Sequence, residues 1–285
     1  MSALVPPRTP YHNVRVTGRA PIADDAIGIF DSGVGGLTVV HALLEALPAE
    51  HLVYLGDTGR HPYGTKSAET VTRYSLENSA FLVARGVKLL VVACNSASAV
   101  ALDVLTERLA VPVIGVIEPG AIAALARTRT GRVGVIGTEA TIASGAYTRA
   151  LRARRPALEL YTRACPLLVP LAEEGWTDGP VARGVAETYL ASLRTSGIDT
   201  LVLGCTHYPL LKSVIAYVMG PDVALVDSAE ETARAVETLL TERNLGRTGP
   251  PGATSFFVTD VPDRFVLIGQ RVLGARVESE VRIER

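Results

Sequence analysis

The chain has 285 residues, 48% of them hydrophobic and 20% charged, with a formal net charge of −1. This length suits one large domain or two of ordinary size, and the hydrophobic content allows a proper core. A net charge so close to zero gives no basis for a nucleic-acid or membrane partner. Three cysteines are too few for a disulfide scaffold, and they favour a reducing, cytoplasmic location.

The predicted elements begin after an N-terminal extension. Residues 1–24 are rich in Pro and Arg and lack the apolar segment of a secretory signal, so we expect a disordered extension. Short apolar runs then alternate with helical patterns, and most runs end in small or polar residues. The apolar runs are Ala26–Phe30, His51–Leu55, Lys88–Ala93, Val111–Ile117, Arg132–Ile136, Leu201–Leu203 and Val223–Val226, and the clearest helical patterns are Leu37–Leu47 and Ala99–Leu109.

The runs lack polar alternation, which is typical of strands buried on both faces in parallel sheets. Their alternation with helices predicts an α/β fold. The longest apolar stretch, Leu89–Val104, is interrupted by Asn95 and Asp103, so it is not a membrane span, which needs about 20 mostly apolar residues. Ligands of parallel α/β sheets bind at the carboxyl ends of the strands, so the residues after each run are the candidates for function.

An internal repeat divides the chain. Gly86–Asn95 resembles Gly197–Thr206, and Ile27–Phe30 resembles Val133–Ile136 in the same order and at nearly the same offset. We therefore predict two similar domains with mostly parallel sheets flanked by helices, pseudo-symmetric about a central cleft. The first domain would comprise residues 25–117 with 227–285, and the second residues 118–226.

Two of the three cysteines, Cys94 and Cys205, occupy equivalent strand ends in this repeat. A lone cysteine is more often a small buried apolar residue than a catalyst. Here polar residues follow each cysteine, where a core position would stay apolar. A helix is also predicted to begin close after Cys94, and its N-terminal N–H groups would lower the pKa of the thiol. Cys165 has no counterpart in the repeat, and we interpret it as structural.

Two thiols on opposite sides of a ligand suit the inversion of a stereocentre. A thiolate would remove the Cα proton from one face, and a thiol would return a proton to the other face of the planar carbanion. The base and the acid exchange roles in the reverse direction. The pattern therefore predicts racemisation at Cα.

Other chemistries fit the pattern less well. A Cys–His hydrolase or a zinc site could be built on Cys205 and His207. The hydrolase would leave Cys94 unexplained, and no Cys-x-x-Cys or His-Glu-x-x-His spacing supports zinc. Pyridoxal phosphate needs a Schiff-base lysine, and none of the chain's lysines follows a strand run as the two cysteines do. Racemisation by two thiols would need neither a metal nor a cofactor, although a zinc site stays possible at this point.

Five short motifs resemble those of glutamate racemases in their order and spacing, over a region from about Ala26 to at least Asp227. They are Phe30–Gly36, Pro62–Gly64, Ala93–Ser98, Ala164–Leu171 and Gly204–Pro209. The resemblance implies a cofactor-independent enzyme of the aspartate/glutamate racemase superfamily. Such enzymes interconvert L- and D-glutamate and supply D-glutamate for peptidoglycan.

The resemblance also implies roles for individual residues. Cys94 would take the proton from D-glutamate and Cys205 from L-glutamate, with Asp31 and His207 as helpers at the thiols. A further acid matches Glu173, although the adjacent Glu174 leaves its register open. Substrate contacts would come from Asp31, Ser32, Tyr63, Gly64, Asn95, Ser96, Thr206 and His207, with weaker candidates at Thr138 and Thr141.

Simpler and rival interpretations remain open at this point. Asp31, Ser32 and Ser96 could merely cap helices, His207 could be a hydrogen-bonded core residue, and Tyr63 could belong to an ordinary turn. Rival functions are aspartate or hydantoin racemisation, a related decarboxylation, and a non-catalytic role as an amino-acid-binding or regulatory protein. The residues before Pro62 differ from the commonest form of their motif. Family members are commonly dimers, so a homodimer is possible.

Overall fold

The computed structural model describes residues 19–277 and 281–283. Two separate sheets form there, and every strand pairing in them is parallel. The strands are β1 (Ile27–Asp31), β2 (Leu52–Gly56), β3 (Leu89–Val92), β4 (Val113–Gly115), β5 (Arg132–Gly137), β6 (Glu159–Ala164), β7 (Thr200–Gly204), β8 (Ala224–Asp227), β9 (Thr254–Val258) and β10 (Val281–Ile283).

Helices cover the faces of both sheets, which confirms the predicted α/β class. The helices are α1 (Leu37–Ala46), α2 (Ala68–Val83), α3 (Asn95–Arg108), α4 (Ile117–Arg127), α5 (Glu139–Ser144), α6 (Ala146–Arg154), α7 (Leu168–Glu174), α8 (Gly179–Thr195), α9 (Lys212–Met219), α10 (Ser228–Glu242) and α11 (Pro262–Leu273). None of those within residues 19–277 has the length and apolar character needed to cross a bilayer.

The internal repeat is visible in the strand order. The first sheet runs β10-β9-β2-β1-β3-β4 and the second runs β6-β5-β7-β8. Each sheet therefore contains the same order of its second, first, third and fourth strands, so β3 and β7 are equivalent. The boundaries predicted for the two domains at residues 118 and 226 stay predictions.

The central strands of both sheets are buried on two faces, as their sequences predict. In β1, Ile27 and Ile29 pack in one core with α1, α10 and α11. Phe30 lies in the core on the opposite face with α2 and α3. Fully burying an aliphatic or aromatic side chain of this size contributes about 1.5–3 kcal/mol to stability, so these strands hold the site on a rigid base.

Several boundaries differ from the predictions. Helix α3 begins at Asn95 rather than Ala99, because its polar first turn is buried at the site and gives no apolar periodicity. The run Val111–Ile117 contains a strand of only three residues, and Ile117 already begins α4. The edge strand β6 was not predicted, because half of its residues are exposed and polar side chains interrupt the run.

The predicted disordered extension, residues 1–24, falls mostly outside the described residues, which begin at Arg19. The last residues of that segment are held against the first domain. Lys88 is fully buried and donates through Nζ to the carbonyl of Ala23 at 2.6 Å. Arg247 donates through Nε to Asp24 at 3.0 Å.

Candidate active site

The carboxyl ends of β1, β3 and β7 meet at one small cavity. Asp31 is the last residue of β1, Cys94 follows β3, and Cys205 follows β7; all three side chains are buried. The cavity encloses about 20 Å³, which is room for about one water molecule. Its lining comprises Ser32, His61, Pro62, Tyr63, Gly64, Cys94, Asn95, Ser96, Thr138, Val169, Cys205, Thr206 and His207.

Cys94 is the N-cap residue of α3, in extended conformation. Burial raises the pKa of its thiol to about 11, and the Asp31 carboxylate adds to the increase. Hydrogen bonds from the Ala97 backbone and from Ser32 favour the thiolate but do not outweigh burial. The helix N-terminus thus lowers the pKa as expected, but the expected net decrease is wrong, because desolvation of the thiolate outweighs this contribution.

Cys205 lies beside an imidazole. Its Sγ is 3.7 Å from Nδ1 of His207. Burial raises the pKa of Cys205 well above its ordinary value. A hydrogen bond from the His207 backbone acts in the opposite direction, while Cys94 and Asp31 add to the increase. At both sulfurs, burial therefore favours the thiol over the thiolate.

Glu173 accepts hydrogen bonds from two imidazoles. Its Oε1 lies 3.1 Å from Nε2 of His207 and 2.9 Å from Nε2 of His61. Burial opposes ionisation, but these two partners hold the pKa of the Glu173 carboxyl well below its usual range. Glu174, in contrast, is mostly exposed and pairs with Arg264 at 3.0 Å. The geometry places Glu173 rather than its neighbour at the thiol side of the cleft.

The Glu173 carboxylate fixes the tautomer of its partners. An ionised carboxylate can only accept hydrogen bonds, so Nε2 of His207 carries a proton. In the neutral ring, Nδ1 then has the lone pair and can accept the proton of the Cys205 thiol. The side chains of Cys205, His207 and Glu173 thus lie in a continuous row of polar contacts.

Asp31 is not a helix cap. The N-cap of α1 is Gly36, and no side chain caps that helix. The Asp31 carboxylate instead accepts hydrogen bonds from the Gly33 backbone at 2.9 Å and from the Thr206 hydroxyl at 3.3 Å. Asp31 therefore ties the glycine-rich turn of the first domain to the loop that carries Cys205.

Hydroxyl and amide groups surround the rest of the cavity. The Ser96 hydroxyl lies 2.9 Å from that of Thr138 and 3.4 Å from that of Thr141. The Asn95 Oδ1 accepts a hydrogen bond from Tyr147 at 2.8 Å, whereas its Nδ2 is buried and has no protein partner among the described residues. Ser96 lies inside α3, so it is not a cap.

Tyr63 and Gly64 form a short 3₁₀ turn at the cavity wall. The Tyr63 hydroxyl hydrogen-bonds to Asp57 and accepts from Asn78 at 3.1 Å, so this side chain is committed to a buried network. A Cβ added to Gly64 would lie 2.7 Å from the Thr138 side chain. Gly64 thereby allows the first domain to approach the second closely.

Sequence reasoning missed His61, which lines the cavity and shares Glu173 with His207. Its only signal was its place beside the predicted Pro62–Gly64 motif. Cys165 packs in the core of the second sheet, where burial raises the pKa of its thiol to about 12. This position accords with its structural interpretation.

The chain matches the Asp/Glu/hydantoin racemase family over residues 27–236. A glutamate racemase from Geobacter metallireducens is 62% identical over 88% of this chain and 94% of its own. One from Syntrophus aciditrophicus is 52% identical over 90% of this chain and 96% of its own. These matches confirm the resemblance that the five motifs indicated.

Solved structures agree with the sequence matches. A glutamate racemase isoform from Bacillus anthracis superposes with a TM-score of 0.87 at 41% identity, covering 91% of this chain and 96% of that one. A glutamate racemase from Francisella tularensis in complex with D-glutamate gives 0.87 at 38% identity, covering 93% and 98%. On the strength of these matches and of the paired thiols, the chain belongs to the Asp/Glu/hydantoin racemase family.

Proposed function

We propose that this enzyme interconverts L- and D-glutamate by proton transfer between Cα and two thiols, without a cofactor. The observation that carries the proposal is the placement of Cys94 and Cys205. They follow equivalent strands of two similarly ordered sheets, and they line one cavity. Duplicated strands bring matched acid–base groups to a shared ligand from two sides, which is the arrangement that inversion at carbon requires.

On the L-glutamate side, Cys205 is the proposed base. Its proton moves to Nδ1 of His207, and the resulting imidazolium is stabilised by the Glu173 carboxylate. The thiolate then removes the Cα proton. A charge-assisted hydrogen bond such as that between His207 and Glu173 contributes about 1.5–3 kcal/mol, so it is a substantial part of the support for this step.

On the D-glutamate side, Cys94 is the proposed base, and in the opposite direction it returns the proton. The raised pKa of Cys94 keeps it protonated and so ready to donate to the carbanion. A substrate ammonium group beside Asp31 would offset the carboxylate charge that contributes to this increase. Binding of D-glutamate would then lower the pKa of Cys94 towards the range in which it can act as a base.

Neutral donors are proposed to hold the two substrate carboxylates. Ser32, Asn95, Ser96 and Thr206 offer hydroxyl and amide groups at the cavity, and the Asn95 Nδ2 has no other partner in residues 19–277. Such groups bind anions without the strong charge–charge attraction of a salt bridge, and they act strongly in a site from which water is excluded.

Glutamate is larger than the space of about 20 Å³ that the cavity encloses. Substrate entry therefore requires the two sheets and their helices to move apart. The hydrogen bond between Ser96 and Thr138, and the close approach of Gly64 to Thr138, are contacts that such an opening would break. Closure around the substrate would then exclude water from the carbanion.

The family resemblance supports the wider setting of the proposal. The chain's three free thiols support a reducing, cytoplasmic location, where D-glutamate made by this enzyme would enter peptidoglycan synthesis. A homodimer remains a prediction from the resemblance.

The proposal is tested by chiral chromatography of L-glutamate and L-aspartate incubated separately in D₂O, with a chelator and no added cofactor. We expect D-glutamate carrying deuterium at Cα, and little turnover of aspartate. Preferential turnover of aspartate would favour the sister activity. Binding of glutamate without turnover would favour a non-catalytic protein, and either result would overturn the proposal.

A further inference from the structure

Three potential metal ligands meet at the edge of the active-site cavity. One ring nitrogen of His61, a carboxylate oxygen of Glu173 and one ring nitrogen of His207 lie within 4.8 Å of one another. The proposed reaction uses Glu173 and His207 but assigns no role to His61. Two imidazoles and one carboxylate are also a ligand set that zinc adopts with a water molecule in the fourth position.

We propose that His61, Glu173 and His207 form a binding site for a divalent transition-metal ion such as Zn²⁺, and that the bound ion inhibits the enzyme. Zinc bonds of about 2.0–2.2 Å place tetrahedral ligand atoms roughly 3.3–3.5 Å apart. The Glu173 oxygen lies 2.9 Å and 3.1 Å from the two imidazole nitrogens. The ligand atoms of the two histidines lie within 4.8 Å of each other, so rotation of the side chains has to bring the imidazoles to that spacing when the ion binds.

The proton balance of metal binding is simple. Each Nε2 donates to Glu173 in the metal-free protein and must present a lone pair to the ion. Each neutral imidazole can move its proton from Nε2 to Nδ1, so no net proton is released. In His61 the Nδ1 is buried and has no protein partner among the described residues, so this shift breaks no existing hydrogen bond there.

The same shift explains inhibition. With a proton on Nδ1 and the ion on Nε2, His207 can no longer accept the proton of the Cys205 thiol, 3.7 Å away. The ion also takes up the Glu173 oxygen that supports the imidazolium. The inhibition rests on the proposed function, whereas the binding of the ion does not.

An ion can reach these ligands from outside the reaction cavity. His61 and Glu173 also line a second cavity of about 230 Å³, whose wall includes Arg264. Arg264 is half-exposed and pairs with the other Glu173 oxygen at 3.2 Å. Its positive charge opposes a bound cation, so removing that charge should tighten metal binding.

The two thiols are a competing ligand set, since Cys94, Cys205 and His207 line the same cavity. Cobalt separates the possibilities, because Co²⁺ bound to thiolates has strong charge-transfer absorption in the near ultraviolet. A nitrogen and oxygen site shows the visible ligand-field bands of Co²⁺ without that absorption. The proposal therefore expects a cobalt spectrum free of thiolate bands.

The test is calorimetric titration of the full chain with Zn²⁺, combined with Co²⁺ spectra, for the wild type and three variants. H61A should weaken zinc binding at least about tenfold, because even the loss of a hydrogen-bonded partner of a ligand costs about 10- to 100-fold. R264Q should tighten binding. H41A, which removes an exposed imidazole from α1, should leave binding unchanged.

A racemase assay adds the functional readout. Zinc should inhibit the wild type, and a chelator should reverse the inhibition. With each protein compared with its own metal-free activity, half-inhibition of H61A should require at least about tenfold more zinc than half-inhibition of the wild type. Wild-type zinc affinity in H61A, or thiolate bands in the cobalt spectrum, would overturn the site. Zinc binding at His61 without any loss of activity would overturn the inhibition alone. A protein with no racemase activity would leave the binding result intact and would refute the proposed function instead.

Discussion

Replacing Glu173 by Gln tests the chain of residues that serves Cys205. The amide is almost isosteric with the carboxylate and keeps one oxygen that can accept a hydrogen bond from His207. It removes the negative charge that stabilises the imidazolium at 3.1 Å. The fold should survive this change, because Glu173 lies at the end of α7 and next to the cavity rather than within a core.

The expected magnitude follows from the hydrogen bond that is weakened. A bond to a charged group contributes about 1.5–3 kcal/mol. A difference of about 1.4 kcal/mol in activation free energy changes a rate tenfold, so kcat/KM should fall by about 10- to 150-fold. L- and D-glutamate have equal free energies, so kcat/KM must fall by the same factor in both directions.

The β-chloro analogues of glutamate show which of the two proton-removal steps is impaired in E173Q. Such compounds lose chloride once the Cα proton is removed, so each enantiomer reports on one base alone. E173Q should slow elimination from the L-enantiomer, which depends on Cys205. Elimination from the D-enantiomer, which depends on Cys94, should change much less.

E174Q is the matched control, because Glu174 is adjacent in sequence but mostly exposed and paired with Arg264. An exposed ion pair contributes about 0–1 kcal/mol, so E174Q should keep nearly full activity. Equal losses in both variants, or a loss confined to E174Q, would refute the assignment of Glu173. An unaffected E173Q would refute the role of the carboxylate altogether.

Three further predictions concern the thiols and the glycine-rich turn. C94S and C205S should each lower the rate of racemisation at least about 100-fold, because positioned acid–base groups contribute about 10²–10⁴-fold. C94S should also lose elimination from the D-β-chloro analogue and keep elimination from the L-enantiomer, whereas C205S should lose elimination from the L-enantiomer and keep that from the D-enantiomer. Burial raises the pKa of Cys94 from 9.0 to about 11, so the buried thiol stabilises the fold below pH 9 and loses this contribution as the pH rises to 11. The free energy of unfolding should fall by up to about 3 kcal/mol over this range relative to C94S, as measured by urea unfolding. G35A should lose activity and about 1–3 kcal/mol of stability, because its Cβ would collide with the Thr206 hydroxyl. In the control variant G184A the added Cβ meets nothing within 4 Å, so this change should be neutral or slightly stabilising.

Each of these has an outcome that contradicts it. Loss of both eliminations in C94S would show that one thiol serves both enantiomers. A stability difference between wild type and C94S that stays flat from pH 8 to pH 11 would mean that Cys94 does not titrate there. Full activity in G35A would show that the turn does not need to approach the loop of Cys205 so closely.

The amino-acid sequence was sufficient to predict the α/β class of the fold and to single out candidate site residues. Strands such as β1 and β3 are buried on both faces, so their continuous apolar runs are visible without any tertiary information. Parallel strands end at a common edge, so Asp31, Cys94 and Cys205 could be predicted to lie near a ligand from their places after these runs. The repeat then paired the two cysteines, which neither position alone could have indicated.

The contacts between side chains across the cleft could not be predicted without the folded structure. Glu173 was distinguished from Glu174 by the direction in which the end of α7 presents them, and His61 was found because it shares a carboxylate with His207. The pKa of Cys94 also required the fold, since it depends on how completely the thiol is desolvated and on its distance from Asp31. Local sequence encodes periodicity and strand ends, whereas burial and contacts between distant segments arise only when the two sheets pack together.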